Sequence, residues 1–215
     1  MSILITGANR GIGAQLLHQY TKAGRLALGT ARHPEEGLLQ LDVADPASVD
    51  ALAKTLDSKT IDLLICNAGV YLDKGANLAD GYGADLWAQS FAVNVTGVFL
   101  TVQALLPHLQ CSKTPKIAIM SSQMASQERA PGGSYIYRAS KAAVLNLGRN
   151  LATDLHDLGI AVGIYHPGWV STDMGGGTAP TKPEASAAGL IKRFDALSLE
   201  TTGCFETFEG HPHPY

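Results

Sequence analysis

At its start the chain runs from a short apolar stretch, Ser2-Ile-Leu-Ile-Thr6, through a glycine turn, Gly7-Ala-Asn-Arg-Gly-Ile-Gly13, into residues 14–23, whose composition favours a helix. No other feature narrows the fold as far. Strand, glycine turn and helix in this order make a phosphate-binding turn. The glycines bring bare backbone close to a pyrophosphate, and the helix N-terminus points free N–H groups and its positive dipole end at it. The spacing is G-x-x-x-G-x-G and not the commoner G-x-G-x-x-G. Gly7, Gly11 and Gly13 are therefore read as the pyrophosphate turn, with Asn9, Arg10 and Ile12 between them. An ordinary tight turn is the alternative that the glycines alone leave open.

The rest of the chain repeats the alternation. Apolar runs at residues 25–32, 38–43, 61–66, Lys116–Met120, 160–165 and 203–208 read as strands. Helical patterns fill Pro46–Leu56, with Asp45 as N-cap before the proline, and residues 85–109, 134–158 and 184–197; Gly159 ends the third of these. Residues 71–83 read as a surface loop and 123–133 as a second loop. Strands alternating with helices predict a single α/β domain over residues 1–215: a Rossmann-type doubly wound parallel sheet of about seven strands, with helices on both faces. A hydrophobic content of 46% supplies a core that needs no disulfide or metal.

Strand ends on one edge of such a sheet are where ligands sit. Here that edge collects Arg32, Asp42-Val43, Asn67-Ala68-Gly69, Ser121-Ser122 and His166-Pro-Gly-Trp-Val-Ser-Thr-Asp-Met174. In this architecture an acidic residue ending the second strand takes a ribose 2′-hydroxyl, whereas arginine accommodates a 2′-phosphate. Arg32, with Arg10 nearby, therefore predicts NADP(H) as the preferred cofactor and NAD(H) as the alternative. Asn94 interrupts a helical pattern, a position that Asn suits poorly. A kink with a functional amide and a plain core-bonded Asn both fit.

Tyr137 and Lys141 lie one helical turn apart, which puts an ammonium beside a phenol. The expectation is a Tyr pKa lowered from about 10; bringing it to about 7 takes roughly 4 kcal/mol, supplied by the ammonium together with an oxidised nicotinamide, and such a Tyr is a general acid or base. With seven tyrosines and nine lysines in the chain, the spacing arises by chance roughly 0.3 times. Alone it decides little.

Several classes are set aside. A net charge of −3 without a Lys/Arg run argues against nucleic acid. Cys66, Cys111 and Cys204 show no pair spacing and suit a reducing compartment. A first strand at Ser2 leaves no room for a leader, and no apolar run is read as reaching the ~18 residues of a membrane span. The expected address is cytoplasmic, with no membrane partner. His18, His108, His156 and His166 lack mutual ligand spacing, and His211-Pro-His213 offers too few ligands, so no metal is expected. Trp169, Met174, Tyr135 and Met124 flank the presumed active groups; Trp169 reads equally as pocket wall or core.

Taken together and in order, Thr6-Gly-x-x-x-Gly-Ile-Gly13, Asp42-Val43, Asn67-Ala-Gly69, Asn94, Ser122, Tyr137-x-x-x-Lys141 and Pro167-Gly168 with Thr172 resemble the short-chain dehydrogenase/reductase family over essentially the whole chain. Within it the Tyr-Arg-Ala-Ser-Lys run and the Pro-Gly-Trp-Val-x-Thr-Asp-Met-Gly-Gly run look like the C-factor and Sniffer-like carbonyl reductase branch. The resemblance implies Tyr137 as acid/base, Ser122 as hydrogen-bond partner of the substrate oxygen, and Lys141 as modulator of Tyr137 and ligand of the nicotinamide ribose. It implies Asn94 as holder of a water between Lys141 and solvent. By the same resemblance the glycine turn admits the pyrophosphate, Asp42 and Val43 flank adenine, Asn67, Ala68 and Gly69 line the adenosine ribose side, and Pro167, Gly168, Val170 and Thr172 hold the carboxamide. Two departures stand out: Cys66 replaces a second Asn, and 15 residues separate Ser122 from Tyr137, so Ser121 and Ser126 remain alternatives for the serine. A homodimer or homotetramer through the two long helices is implied, acting on a small carbonyl or alcohol substrate. Beside this oxidoreductase reading stand a nucleotide-bound signalling or regulatory protein with little turnover, and a dehydratase or epimerase on the same frame.

Overall fold

A computed structural model describes residues 1–35 and 37–215. Its strands are β1 (Ser2–Ile5), β2 (Leu26–Ala31), β3 (Leu38–Gln40), β4 (Leu63–Cys66), β5 (Lys116–Met120), β6 (Ala161–His166) and β7 (Phe205–Thr207). They form one sheet in the order β3-β2-β1-β4-β5-β6-β7, every pair parallel. The helices are α1 (Gly11–Lys22), α2 (Pro46–Leu56), α3 (Ala84–Phe91), α4 (Gly97–Gln110), α5 (Tyr135–Asp154) and α6 (Pro183–Ala196).

Period-two alternation divides the core. Ile3, Ile5, Leu63, Ile65, Ala118 and Met120 point to one face, where α1 (Leu16, Tyr20) and α6 (Leu190, Phe194) cover them. Leu4, Leu64, Cys66, Ile117 and Ile119 point to the other, under α2, α4 and α5. Every residue of β4 and β6 is buried, as expected of central parallel strands covered on both sides. The chain winds outward from β1 to β3, then crosses to β4 on the other side of β1. The crevice at the C-terminal ends of β1 and β4 is the topological switch point of the sheet.

Several local expectations are corrected. The first helix starts at Gly11, so two turn glycines belong to its first turn. β3 stops at Gln40, because at Asp42 the N–H turns to the Ser48 hydroxyl (2.9 Å) and the carboxylate accepts from Ala44 N–H (3.0 Å). The helix read over residues 85–109 is split by a π-helical segment, Ala92–Thr96, with Asn94 at its centre. Ala84–Gln110 is moreover long and apolar enough to cross a membrane by length and composition, contrary to the expectation that no stretch reaches that length. Its Asn and Thr residues interrupt the apolar run without lowering its mean hydropathy much; in the fold its α4 part supplies Val98, Val102, Leu105 and Leu109 to the core. The third long helix ends at Asp154, followed by a 3-10 turn and by Gly159 at φ 71°.

Candidate active site

A groove of about 680 Å³ follows the switch point. Its floor is the glycine turn. Gly7 has φ +66°, and a Cβ there would lie 2.9 Å from Ala68 Cα; a Cβ on Gly13 would lie 2.2 Å from the Gly7 carbonyl oxygen and 2.5 Å from Asn67 Nδ2. Asn67 ties the two strand ends together: Nδ2 donates to the Thr6 and Gly7 carbonyls, both at 2.9 Å, and Thr6 Oγ1 accepts from Asn67 N–H and Ala68 N–H, both at 3.0 Å. No side chain caps the first turn of α1, and Gly11, Ile12 and Gly13 line the groove. Bare backbone, uncapped amides and no room for a Cβ are what a diphosphate needs, so the residues present fit a dinucleotide.

Asn9, Arg10, Arg32, Asp42, Val43, Asn67, Ala68, Gly69, Tyr137, Lys141, Pro167 and Thr172 also line the groove. Gly168, Val170, Asn94 and Ser122 do not. Gly168 (φ +89°) backs onto the Phe208 ring, and Val170 is buried and bridged to Thr181. Arg32 lies exposed on the rim. Arg10, which also lines the groove, pairs with Asp173 at 2.9 Å, both side chains largely exposed.

Tyr137 and Lys141 are 8% and 5% exposed at the inner end. Lys141 Nζ donates to the Met120 carbonyl (2.9 Å) and stands 5.7 Å from the Tyr137 ring centroid. The expected depression of the Tyr pKa is not what this environment produces. Burial raises Tyr137 to about 12, Ser122 opposes the rise, and Tyr71 and Asp73 add to it. Burial likewise lowers Lys141 to about 8. Desolvation disfavours the charged form of both, and it is the largest influence on each.

The three candidate serines separate by their partners. Ser121 donates to the Lys141 carbonyl (3.0 Å) and Ser126 to the Tyr215 carbonyl (3.3 Å). Ser122 accepts from Met124 N–H (3.1 Å) and interacts with the Tyr137 phenol. Asn94 is 1% exposed: Oδ1 accepts from Val70 N–H (2.8 Å), and Nδ2 donates to the Val70 carbonyl (2.9 Å) and Ser140 Oγ (3.0 Å). A point one Cβ from Gly69 lies 3.3 Å from Asn94 Oδ1 and 3.5 Å from Lys141 Nζ, so both border one small space.

The surroundings hold residues that local pattern does not reveal. The 71–83 stretch is not simply a surface loop, since Asp73 is buried and Tyr71 stacks on Tyr137 at 4.3 Å. Lys74 Nζ donates to the Met174 carbonyl (3.0 Å). Trp169 is 52% exposed, with Nε1 donating to the Gly175 carbonyl (2.9 Å), so it is no core residue. His166 is buried and held near 4 by desolvation and then by His213, while His108 Nδ1 bonds the Lys59 carbonyl (2.9 Å). Among the described residues no three His, Cys, Asp or Glu side chains are grouped to hold a metal ion. Cys66 is buried, and its thiol is pushed up to about 12.

Comparison with known proteins agrees with this geometry. A family model described as short chain dehydrogenase matches residues 1–183. The chain is 36% identical over 166 residues to C-signal of Myxococcus xanthus, covering 77% of this chain and 99% of that protein. An NADPH-bound carbonyl reductase from chicken fatty liver superposes with a TM-score of 0.91 at 29% identity, covering 100% and 98% of the two chains. The carbonyl reductase Sniffer of D. melanogaster gives a TM-score of 0.91 at 25% identity, covering 100% and 99%.

Proposed function

Since this chain belongs to the short-chain dehydrogenase family, and within it to the carbonyl reductase branch, we propose that it is an NADP(H)-dependent oxidoreductase. It would reduce an aldehyde, ketone or quinone carbonyl, or oxidise the corresponding alcohol. The observation that carries the reading is the buried Tyr137 and Lys141 at the inner end of a groove whose floor is the glycine turn, with Ser122 beside the Tyr137 phenol just outside the groove lining. When bound, the nicotinamide supplies or accepts the hydride.

The chain's own groups handle the proton. Tyr137, held protonated by burial, donates to the carbonyl oxygen as a general acid and takes the proton back in the reverse direction. Ser122 hydrogen-bonds the same oxygen, where negative charge develops. Lys141 anchors through the Met120 carbonyl and binds the ribose hydroxyls. The space it shares with Asn94 beside Gly69 suits a water that returns a proton to the site. Arg32 on the rim takes the 2′-phosphate, and the preference for NADP(H) rests on it; the NADPH carried by the chicken liver relative is consistent with that. The α3–α4 and α5 helices join a second copy into a homodimer or homotetramer, with Phe99, 40% exposed, in the contact.

The similarity to C-signal favours one other reading, a nucleotide-bound signalling protein with little turnover. NADPH oxidation against a panel of aldehydes, ketones and quinones separates the two. The oxidoreductase reading predicts turnover with at least one class, and absence of oxidation with all of them supports the signalling reading.

A further inference from the structure

One buried acid has no part in the chemistry described so far. Asp73, 1% exposed, sits in the loop after β4, yet its partners lie more than sixty positions further along the chain. Its Oδ2 accepts from Ile136 N–H at 2.9 Å, and Tyr137 N–H approaches Oδ1 at 3.2 Å and Oδ2 at 3.4 Å. These are first-turn amides of α5, which the helix cannot satisfy by itself. The residue at the cap position, Ser134, has left-handed backbone at φ 49° and supplies no side-chain cap. Its hydroxyl bonds the Tyr71 hydroxyl instead. The ring of Tyr71, two residues before Asp73, stacks on that of Tyr137 with centroids 4.3 Å apart and planes 22° apart. One short segment thus holds both the backbone and the ring of a single residue.

We propose that Asp73, supported by Tyr71, is a positioning residue for Tyr137: its carboxylate stands in for the missing local cap of α5 and fixes the phenol beside Ser122. The inference rests on the acid role proposed for Tyr137. A carboxylate at a helix N-terminus is favourably placed against the dipole, so the clamp is stable where it sits. It also has an electrostatic consequence. The groups facing the phenol are Ser122 from the end of β5, Tyr71 and Asp73 from the loop after β4, and Lys141 from α5 itself. A negative charge beside a phenol disfavours the phenolate. The clamp therefore adds to burial in keeping Tyr137 a proton donor, and its charge shows at the alkaline edge of the reduction rate.

Two measurements test this. In the wild-type chain without cofactor, hydrogen exchange should be about tenfold or more slower at the Ile136 and Tyr137 amides than at Gly11 and Ile12 of the uncapped α1, as charge-assisted bonds imply. Equal rates would overturn the cap. In Asp73→Asn, which keeps one acceptor oxygen and loses the charge, the alkaline limb of the reduction rate should move to lower pH. Asp73→Glu, which keeps the charge, should leave the limb nearer its wild-type position. A limb at the same pH in Asp73→Asn and wild type overturns the inference. Tyr137→Phe is run beside them: substantial turnover in that variant removes the acid role itself, whereas an inert Tyr137→Phe with an unmoved Asp73→Asn limb removes only the clamp. The exchange comparison needs no variant, so it decides the cap even where a substitution at Asp73 prevents folding.

Discussion

Replacing Gly13 by alanine tests the glycine turn most sharply. The added Cβ would lie 2.2 Å from the Gly7 carbonyl oxygen and 2.5 Å from Asn67 Nδ2, each an ångström or so inside ordinary contact. Neither neighbour is loose. Asn67 Nδ2 is held by two carbonyls at 2.9 Å, and the Gly7 carbonyl is one of them. Relief must come from moving backbone or from breaking the Asn67 bonds. Overpacking of this kind costs about 1–3 kcal/mol, and two hydrogen bonds at roughly 0.5–1.5 kcal/mol each add to it. The helix gains back about 0.5–1 kcal/mol from alanine. The net is a loss of roughly 1–5 kcal/mol, or about 2–20 °C in Tm for a chain of this length. Gly177→Ala is the control, because a Cβ there meets nothing within 4 Å. Thermal unfolding of the two variants, with NADPH fluorescence titration alongside, gives the comparison. Gly13→Ala should also bind NADPH at least about tenfold more weakly, since the displaced backbone is the pyrophosphate cradle. A Gly13→Ala variant that melts within about 2 °C of wild type, below the ~1 kcal/mol that such a shift represents, refutes the packing argument.

Other perturbations follow from single contacts. Asp45→Ala removes the bond from Ala47 N–H at 3.0 Å and should lower stability by about 1 kcal/mol in urea unfolding. Arg32→Ala should weaken NADPH binding by roughly ten- to a hundredfold and leave NADH binding nearly unchanged, as loss of a charge-assisted phosphate bond implies; equal affinities of the wild type for the two cofactors contradict the role. Lys141 titrates near 8 in the folded chain and near 10.4 when unfolded. Between those values the unfolded state binds more protons, so the Lys141 contribution to stability increases as pH rises through this window and is lost as pH falls toward 8. Tyr137 does the reverse: raised to about 12, it contributes stability that is full below about 10 and lost toward about 12. Unfolding free energies of wild type and Lys141→Met across pH 7–10 check the first effect, through a flatter profile in the variant.

How much of this was legible in the sequence depended on the range of the interaction. β5 and α2 carry their own limits, an apolar run before Ser121-Ser122 and an Asp45-Pro46 start, and the pattern of each matches its observed bounds. The glycine turn was legible because its residues are contiguous and their order has one strong use. Longer-range features were not. Asp73 and Tyr71 meet α5 across more than sixty residues, and their own segment, rich in polar and glycine residues, reads as an exposed loop. Arg10 finds Asp173 at a separation of 163 residues, a partner that its own turn does not announce. The Tyr137–Lys141 pair is legible from spacing, but in the chain without cofactor the Tyr137 pKa is raised and not lowered. Spacing reports a neighbour's charge, whereas burial, the largest influence on both groups, is a property of the whole packed core. The π-helical segment at Asn94 showed only as an awkward residue in a helix, because its partners Val70 and Ser140 come from two other elements.

The acid role of Tyr137 is measured most directly by comparing wild type and Tyr137→Phe in NADPH-dependent reduction of the best carbonyl substrate, with NADPH affinity determined for both. Loss of the phenolic proton should lower turnover by about 10²–10⁴-fold and change cofactor affinity little. A loss of less than about tenfold, beneath the range of general acid catalysis, contradicts the assignment.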